Sequence, residues 1–213
     1  MVEAVNKFIY CLHLRVMPMK PPELPEAPVN LSGITIVRYP HPALRRISAA
    51  VARFDPSLRD LAARMIELMR GDKGVGLAAP QVGINLRMFV INPTGKPGDD
   101  QVYVNPVLSA PAGEETAEEG CLSLPEIRVD VVRSKRLQID AQDLNGERFR
   151  EEADGYVARI WQHENDHLDG ILLLDKMGPL DKLAARKKLK QLEEAYAAAH
   201  PAPPAAKRRR SRR

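Results

Sequence analysis

Cysteine is scarce: the 213 residues contain only two, Cys11 and Cys121. Two thiols cannot build a disulfide framework, so a reducing compartment is expected and each cysteine needs its own explanation. Long apolar runs are missing as well. No stretch approaches the roughly 18 uninterrupted apolar residues that a membrane helix needs. No internal repeat is evident, which sets solenoids and propellers aside. The first sixteen residues are mildly apolar, but they contain Glu3 and have no small-residue cleavage site. They therefore read as an N-terminal arm rather than a signal peptide, with Met17 or Met19 as alternative starts. Cys11 in this arm reads as a small apolar or exposed residue.

The remaining composition is that of a globular chain, with 44% hydrophobic and 28% charged residues. The length suits one domain with extensions. The formal charge of +4 is unevenly spread: residues 1–180 sum to −4 and residues 181–213 to +8. An acidic or nucleic-acid partner is thus suggested for the C-terminal segment alone. Residues 1–32 read as a Pro-rich extension, with Pro18, Pro21, Pro22, Pro25 and Pro28 excluding helix or central strand. Residues 33–178 form the candidate catalytic domain, 179–200 a C-terminal helix and 201–213 a basic, disordered tail.

Asp55-Pro56 predicts a helix start, with Leu58, Leu61, Met65 and Leu68 at helical spacing and Gly71 as the stop. Leu86–Ile91 and Gln101–Val104 read as strands. Strands near Lys135–Ala141 and Glu147–Glu151 flank Asn145-Gly146, a hairpin signal because both positions tolerate positive φ. A helix is expected from Asp154 to His167. Another is expected from Pro179 to Ala199, with Leu183, Leu189 and Leu192 as its apolar marks. Strands and helices mix without regular βαβ alternation, so the expected class is α+β.

Gln162-His163-Glu164-Asn165-Asp166-His167 carries the clearest chemistry. Histidines four apart share one helix face and can grip one metal ion. Glu164 is placed to take a proton from water at that metal. Solvated or core histidines are the bland alternative, weakened because only His13, His41 and His200 remain elsewhere. A catalytic site of this kind needs a third ligand. No downstream histidine fits, whereas Cys121 follows Gly120 upstream; a buried small hydrophobe is the competing reading of that cysteine. Gly74-Val75-Gly76-Leu77-Ala78-Ala79-Pro80-Gln81 suits a close-packed turn at a ligand. It lacks the Gly-Lys-Ser/Thr of a phosphate loop. The Gln81 amide is either a donor to a developing oxyanion or a structural glutamine.

Together the three segments resemble peptide deformylase. The family motifs Gly-x-Gly-Leu-Ala-Ala-x-Gln, Glu-Gly-Cys-Leu-Ser and Gln-His-Glu-x-Asp-His-Leu stand unsubstituted at Gly74–Gln81, Glu119–Ser123 and Gln162–Leu168. The resemblance spans roughly Ile34 to Met177, a domain-sized unit. It implies strands around a central helix that bears the two histidines. It implies a metal-dependent hydrolase that removes the formyl group from N-formylmethionine of nascent polypeptides. Cys121, His163 and His167 match the metal ligands, and Glu164 the acid/base that serves the metal-bound water. Gln81 and the Leu122 N–H match the donors to the formyl oxygen. Val75, Gly76, Gly120 and Arg128 match positions beside the metal and along the substrate cleft. Val75, Tyr156 and Ile160 are candidate walls of a methionine pocket, with core packing as their alternative. One divalent cation is implied, Fe²⁺ natively, with Zn²⁺, Ni²⁺ or Co²⁺ able to occupy the site.

The implied partners are formyl-Met nascent peptides. The ribosome is a further candidate, through Lys182, Arg186, Lys187, Lys188, Lys190 and the Arg-rich tail by phosphate pairing. No membrane and no sequence-specific DNA partner is expected, and the location expected is cytoplasmic, with an organelle open. Two other classes compete. A zinc endopeptidase shares His-Glu-x-x-His but needs a downstream ligand, and an RNA-associated protein would explain the tail alone.

Overall fold

The computed structural model describes residues 31–201. The Pro-rich run, Cys11, the candidate start methionines and the Arg-rich tail lie outside the described residues. The first long element is helix α1, Pro56–Gly71. Asp55 caps it by accepting a hydrogen bond from the Ser57 N–H (3.1 Å), which satisfies one of the free N–H groups of the first turn. Pro56 occupies the first turn, where no N–H is needed. The helix ends at Gly71, but the left-handed residue that turns the chain is Lys73 (φ 55°). The Gly74 N–H then closes onto the Met69 carbonyl at 2.8 Å.

A five-stranded antiparallel sheet follows, in chain order. It comprises β1 (Gly76–Ala78), β2 (Met88–Ile91), β3 (Gln101–Cys121), β4 (Leu124–Gln142) and β5 (Arg148–Asp154). Helices α2 (Gly155–Leu168), α3 (Leu173–Lys176) and α4 (Pro179–Ala199) complete the order. This is α+β, with the helix bearing the two histidines laid against the sheet.

Strand β2 is buried on both faces, and its alternation divides the core. Met88 and Val90 pack with Leu58, Leu61, Met65 and Met69 of α1. Phe89 and Ile91 pack with Ala158, Ile160 and Trp161 of α2. A continuous apolar run is what a doubly covered strand requires. A third cluster joins Leu124, Ile127 and Val129 of β4 to Ala185 and Leu192 of α4.

Several expectations need correction. Strand β2 starts at Met88, because Leu86 closes a turn onto Ile84 instead. The strand expected over Gln101–Val104 continues to Cys121, bent by bulges where Asn105 (φ 50°) and Ala110 (φ 49°) adopt left-handed backbone. The hairpin at Asn145-Gly146 is present, yet only Gly146 has positive φ (85°). Asp143 organises this turn, its carboxylate accepting from the N–H groups of Asn145 (2.7 Å) and Glu147 (2.9 Å). That is a longer loop with glycine in the left-handed position rather than a two-residue turn. In α4, Leu192 is buried and Leu189 partly so, whereas Leu183 is 66% exposed. Ala185 takes the inner position in its place.

Candidate metal centre and cleft

Helix α2 presents Arg159, His163 and His167 at successive four-residue steps, so all three share a face. The end of β3 presents Glu119 and Cys121 two residues apart, hence also on one face. Where these faces meet, ligand atoms of Cys121, His163 and His167 lie within 4.8 Å of one another. The Cys121 Sγ is 3.3 Å from His167 Nε2. Leu122 and Ser123 form the tight turn into β4, closed by the pairing of Cys121 with Leu124.

Gln81 is buried in a short 3-10 turn, Ala79–Val82. Its Oε1 accepts the Ala78 N–H at 2.8 Å, which turns the amide nitrogen toward the site. That nitrogen donates to Ser123 Oγ (3.3 Å) and to Cys121 Sγ (3.5 Å). Glu164 is 4% exposed, and its Oε2 has no hydrogen-bond partner among the described residues. Gly76 lies directly opposite: a Cβ there would sit 2.3 Å from Glu164 Oε1.

The electrostatics differ sharply among neighbours. Burial raises the Glu164 carboxyl to about 7, against the pull of the adjacent His163 charge. His163 is opposed by burial, but hydrogen bonds to Cys121 and Glu119 hold it well above the usual imidazole value. His167 is held well below that value by burial and by the charges of His163 and Arg133. The two imidazoles are thus driven in opposite directions, His163 toward the charged form and His167 toward the neutral one. Next to His163 in the chain, Glu164 adds a buried oxygen without a hydrogen-bond partner among the described residues. One cysteine sulfur and two imidazole nitrogens converging in this way fit a divalent cation.

A cleft of about 520 Å³ opens onto this centre. Val75, Gly76, Gly120, Leu122, Arg128, Tyr156 and Ile160 all line it. Ile160 is 5% exposed and also belongs to the core around α2, so it serves both readings. Tyr156 is 55% exposed, at the rim rather than in the core. The Val75 carbonyl accepts the Asn92 N–H at 2.8 Å. Arg128 is exposed and stands 4.0 Å from Glu118.

Sequence reasoning missed the support beneath the donors. Glu119 is buried and receives Arg133 Nε and Nη2 (both 2.9 Å), and Arg159 Nη1 at 2.8 Å. His163 Nδ1 lies 2.8 Å from its other oxygen. Arg133 also reaches Asp166 Oδ2 at 2.5 Å. Two signals were available: Glu119 is two residues before Cys121 on a strand, and Arg159 four before His163 on a helix.

Residues 34–183 match the family described as Polypeptide deformylase. A peptide deformylase of Rhodopirellula baltica is 45% identical over 147 residues, covering 68% of this chain and 73% of that one. A chloroplastic peptide deformylase of Oryza sativa is 43% identical over 167 residues, 76% of this chain and 62% of its own length. A crystal structure of a plant peptide deformylase superposes with a TM-score of 0.77 at 39% identity, covering 81% of this chain and 95% of that chain. The chain therefore belongs to the peptide deformylase family, metal-dependent hydrolases that remove the N-formyl group from formyl-methionine of nascent polypeptides.

Proposed function

We propose that Glu164 carries the proton of the deformylation step and that Cys121, His163 and His167 hold the metal. The observation that carries this reading is the buried, unpartnered Glu164 oxygen beside the three converging donors. A divalent cation there supplies Lewis acidity, lowering the pKa of water toward neutrality. Glu164 accepts a proton from the attacking water and delivers it to the departing amine, freeing formate. A carboxyl near neutrality suits both directions of transfer. Gln81 Nε2 and the Leu122 N–H, on either side of Cys121, donate to the formyl oxygen as charge grows on it. Each such donor is worth about 3–4 kcal/mol in comparable sites. Ile160 and Val75 form the apolar wall for the methionine side chain, Tyr156 borders it, and Gly76, Gly120 and Arg128 flank the peptide path. The test is formate release from formyl-Met-Ala-Ser, with acetyl-Met-Ala-Ser and an internal peptide as controls. Cleavage of the internal peptide without formate release would favour an endopeptidase.

We take Fe²⁺ as the native metal. The sulfur–imidazole donor set also accommodates Zn²⁺, Ni²⁺ and Co²⁺, with affinity order and availability both intervening, so metal analysis after anaerobic purification decides. The catalytic unit is assigned to residues 33–178, with α4 as an appended helix. On α4, Lys182, Arg186, Lys187 and Lys190 are exposed, while Lys188 pairs with Glu126 at 2.7 Å. These cations together with the tail suit ribosomal RNA phosphates. Co-sedimentation with ribosomes is then expected to fall as salt rises and to weaken on deleting residues 201–213. Equal pelleting of the deleted chain would remove the tail from this account. Among the described residues no helix is long and apolar enough to cross a membrane. We assign the chain to the cytoplasm, with an organelle as the alternative suggested by the rice relative. Recovery of the full chain from an organelle fraction would decide for the latter.

A further inference from the structure

The carboxylate of Glu119 is saturated. Its Oε1 accepts from Arg133 Nε and Arg159 Nη1, and its Oε2 from Arg133 Nη2 and the His163 Nδ1–H. Four donors use the four lone-pair sites of a carboxylate, which leaves it no freedom to rotate. Arg159 is itself tied to the sheet, donating to the carbonyls of Val131 (2.8 Å) and Glu115 (2.6 Å). The steps also match: four helical residues advance about 6 Å, and two strand residues about 6.6 Å. Glu119 therefore meets Arg159 and His163 while Cys121 meets the histidine pair.

We propose that Glu119 and Arg159 are positioning residues for His163, and that this pair sets how firmly the site retains its metal. Glu119 accepts the hydrogen bond from Nδ1–H, which leaves Nε2 as the nitrogen that can bind a metal. Arg159, one turn before His163 on the same helix, keeps Glu119 in place. The second imidazole has no such support, since His167 Nδ1 is buried without a hydrogen-bond partner among the described residues. His163 is thus the oriented ligand and His167 the unbraced one. This inference rests on His163 being a ligand, as proposed above.

The experiment is chelator competition on Zn²⁺-loaded full-length protein. His163→Ala should lose the metal. Glu119→Ala should weaken Zn²⁺ affinity by about 10–100-fold, the usual cost of removing an outer partner. Arg159→Met should weaken it several-fold, and that loss should vanish in the Glu119→Ala background, because Arg159 acts through Glu119. Glu119→Gln keeps the volume and one acceptor. It replaces Glu119→Ala should that variant not fold, with an expected loss of about 10-fold. A purely structural role would lower the unfolding midpoint but leave Zn²⁺ affinity within twofold, and that result overturns the proposal. So does an undiminished Arg159→Met effect in the double variant. Retention of Zn²⁺ by His163→Ala would instead remove the ligand assignment itself.

Discussion

Glu164→Gln is expected to cut formate release by about 10²–10⁴-fold while the protein keeps its metal. Gln has the same shape, so the contact with Gly76 and the packing of α2 survive. What it lacks is the ability to accept the water proton and return it. A loss of metal together with activity would make Glu164 a site-building residue instead, and turnover near the parent's would refute the proton role. The same substitution has a second readout in metal-stripped protein. Burial raises the Glu164 carboxyl from 4.5 to about 7. A raised carboxyl contributes stability that is complete below its unfolded value and is lost as pH rises through its folded value. Between about pH 4.5 and pH 7 the stripped parent should therefore lose stability that the Gln variant retains. Equal slopes of unfolding midpoint against pH in the two proteins would show that Glu164 does not titrate there.

The two histidines and Glu164 were legible because helical spacing alone puts imidazoles four apart on one face. Cys121 was legible only through the motif around it, since a lone cysteine carries no local signal. Helix α1 was readable from its cap and periodicity, as were the limits of α4. The long second half of β3 was not. Residues from Asn105 to Glu118 form the outer part of the sheet, where β2 no longer pairs, and Glu114, Glu115 and Glu118 are exposed. Without a buried face there is no alternation to read, and the strand exists because β4 pairs with it across two bulges. The same limit hid the Glu119 cluster: its partners come from β4 and α2, and only folding brings Arg133 and Arg159 to one carboxylate. Leu183 illustrates the reverse error, an apolar residue at helical spacing that faces solvent because Ala185 suits the shallow contact with β4.

Gly76→Ala should reduce turnover by about 10²-fold or more with the metal retained, although it adds one methyl group. The new Cβ would stand 2.3 Å from Glu164 Oε1, 2.8 Å from Cδ and 3.0 Å from Cγ. Something must yield, and the surroundings decide what. Gly76 is held by pairing with Ile91 on β2, and the neighbouring Val75 carbonyl by Asn92. Neither restraint gives easily. Helix α2 is fixed by Trp161 and Leu168 in the core. The carboxylate is the movable part, so it swings from the reacting position. A displacement of about 1 Å at a reacting group costs about 10² in rate. Gly120→Ala supplies the contrast within the same cleft. The three atoms nearest its Cβ would all belong to the Arg128 guanidinium at 3.1 Å, the far end of an exposed side chain that can move aside. Comparison of kcat for formate release should separate the two variants, Gly76→Ala falling steeply and Gly120→Ala within a few-fold of the parent. Equal losses, or a Gly76→Ala kcat within threefold of the parent, would mean that the closeness of Gly76 to Glu164 does not govern where the proton carrier sits.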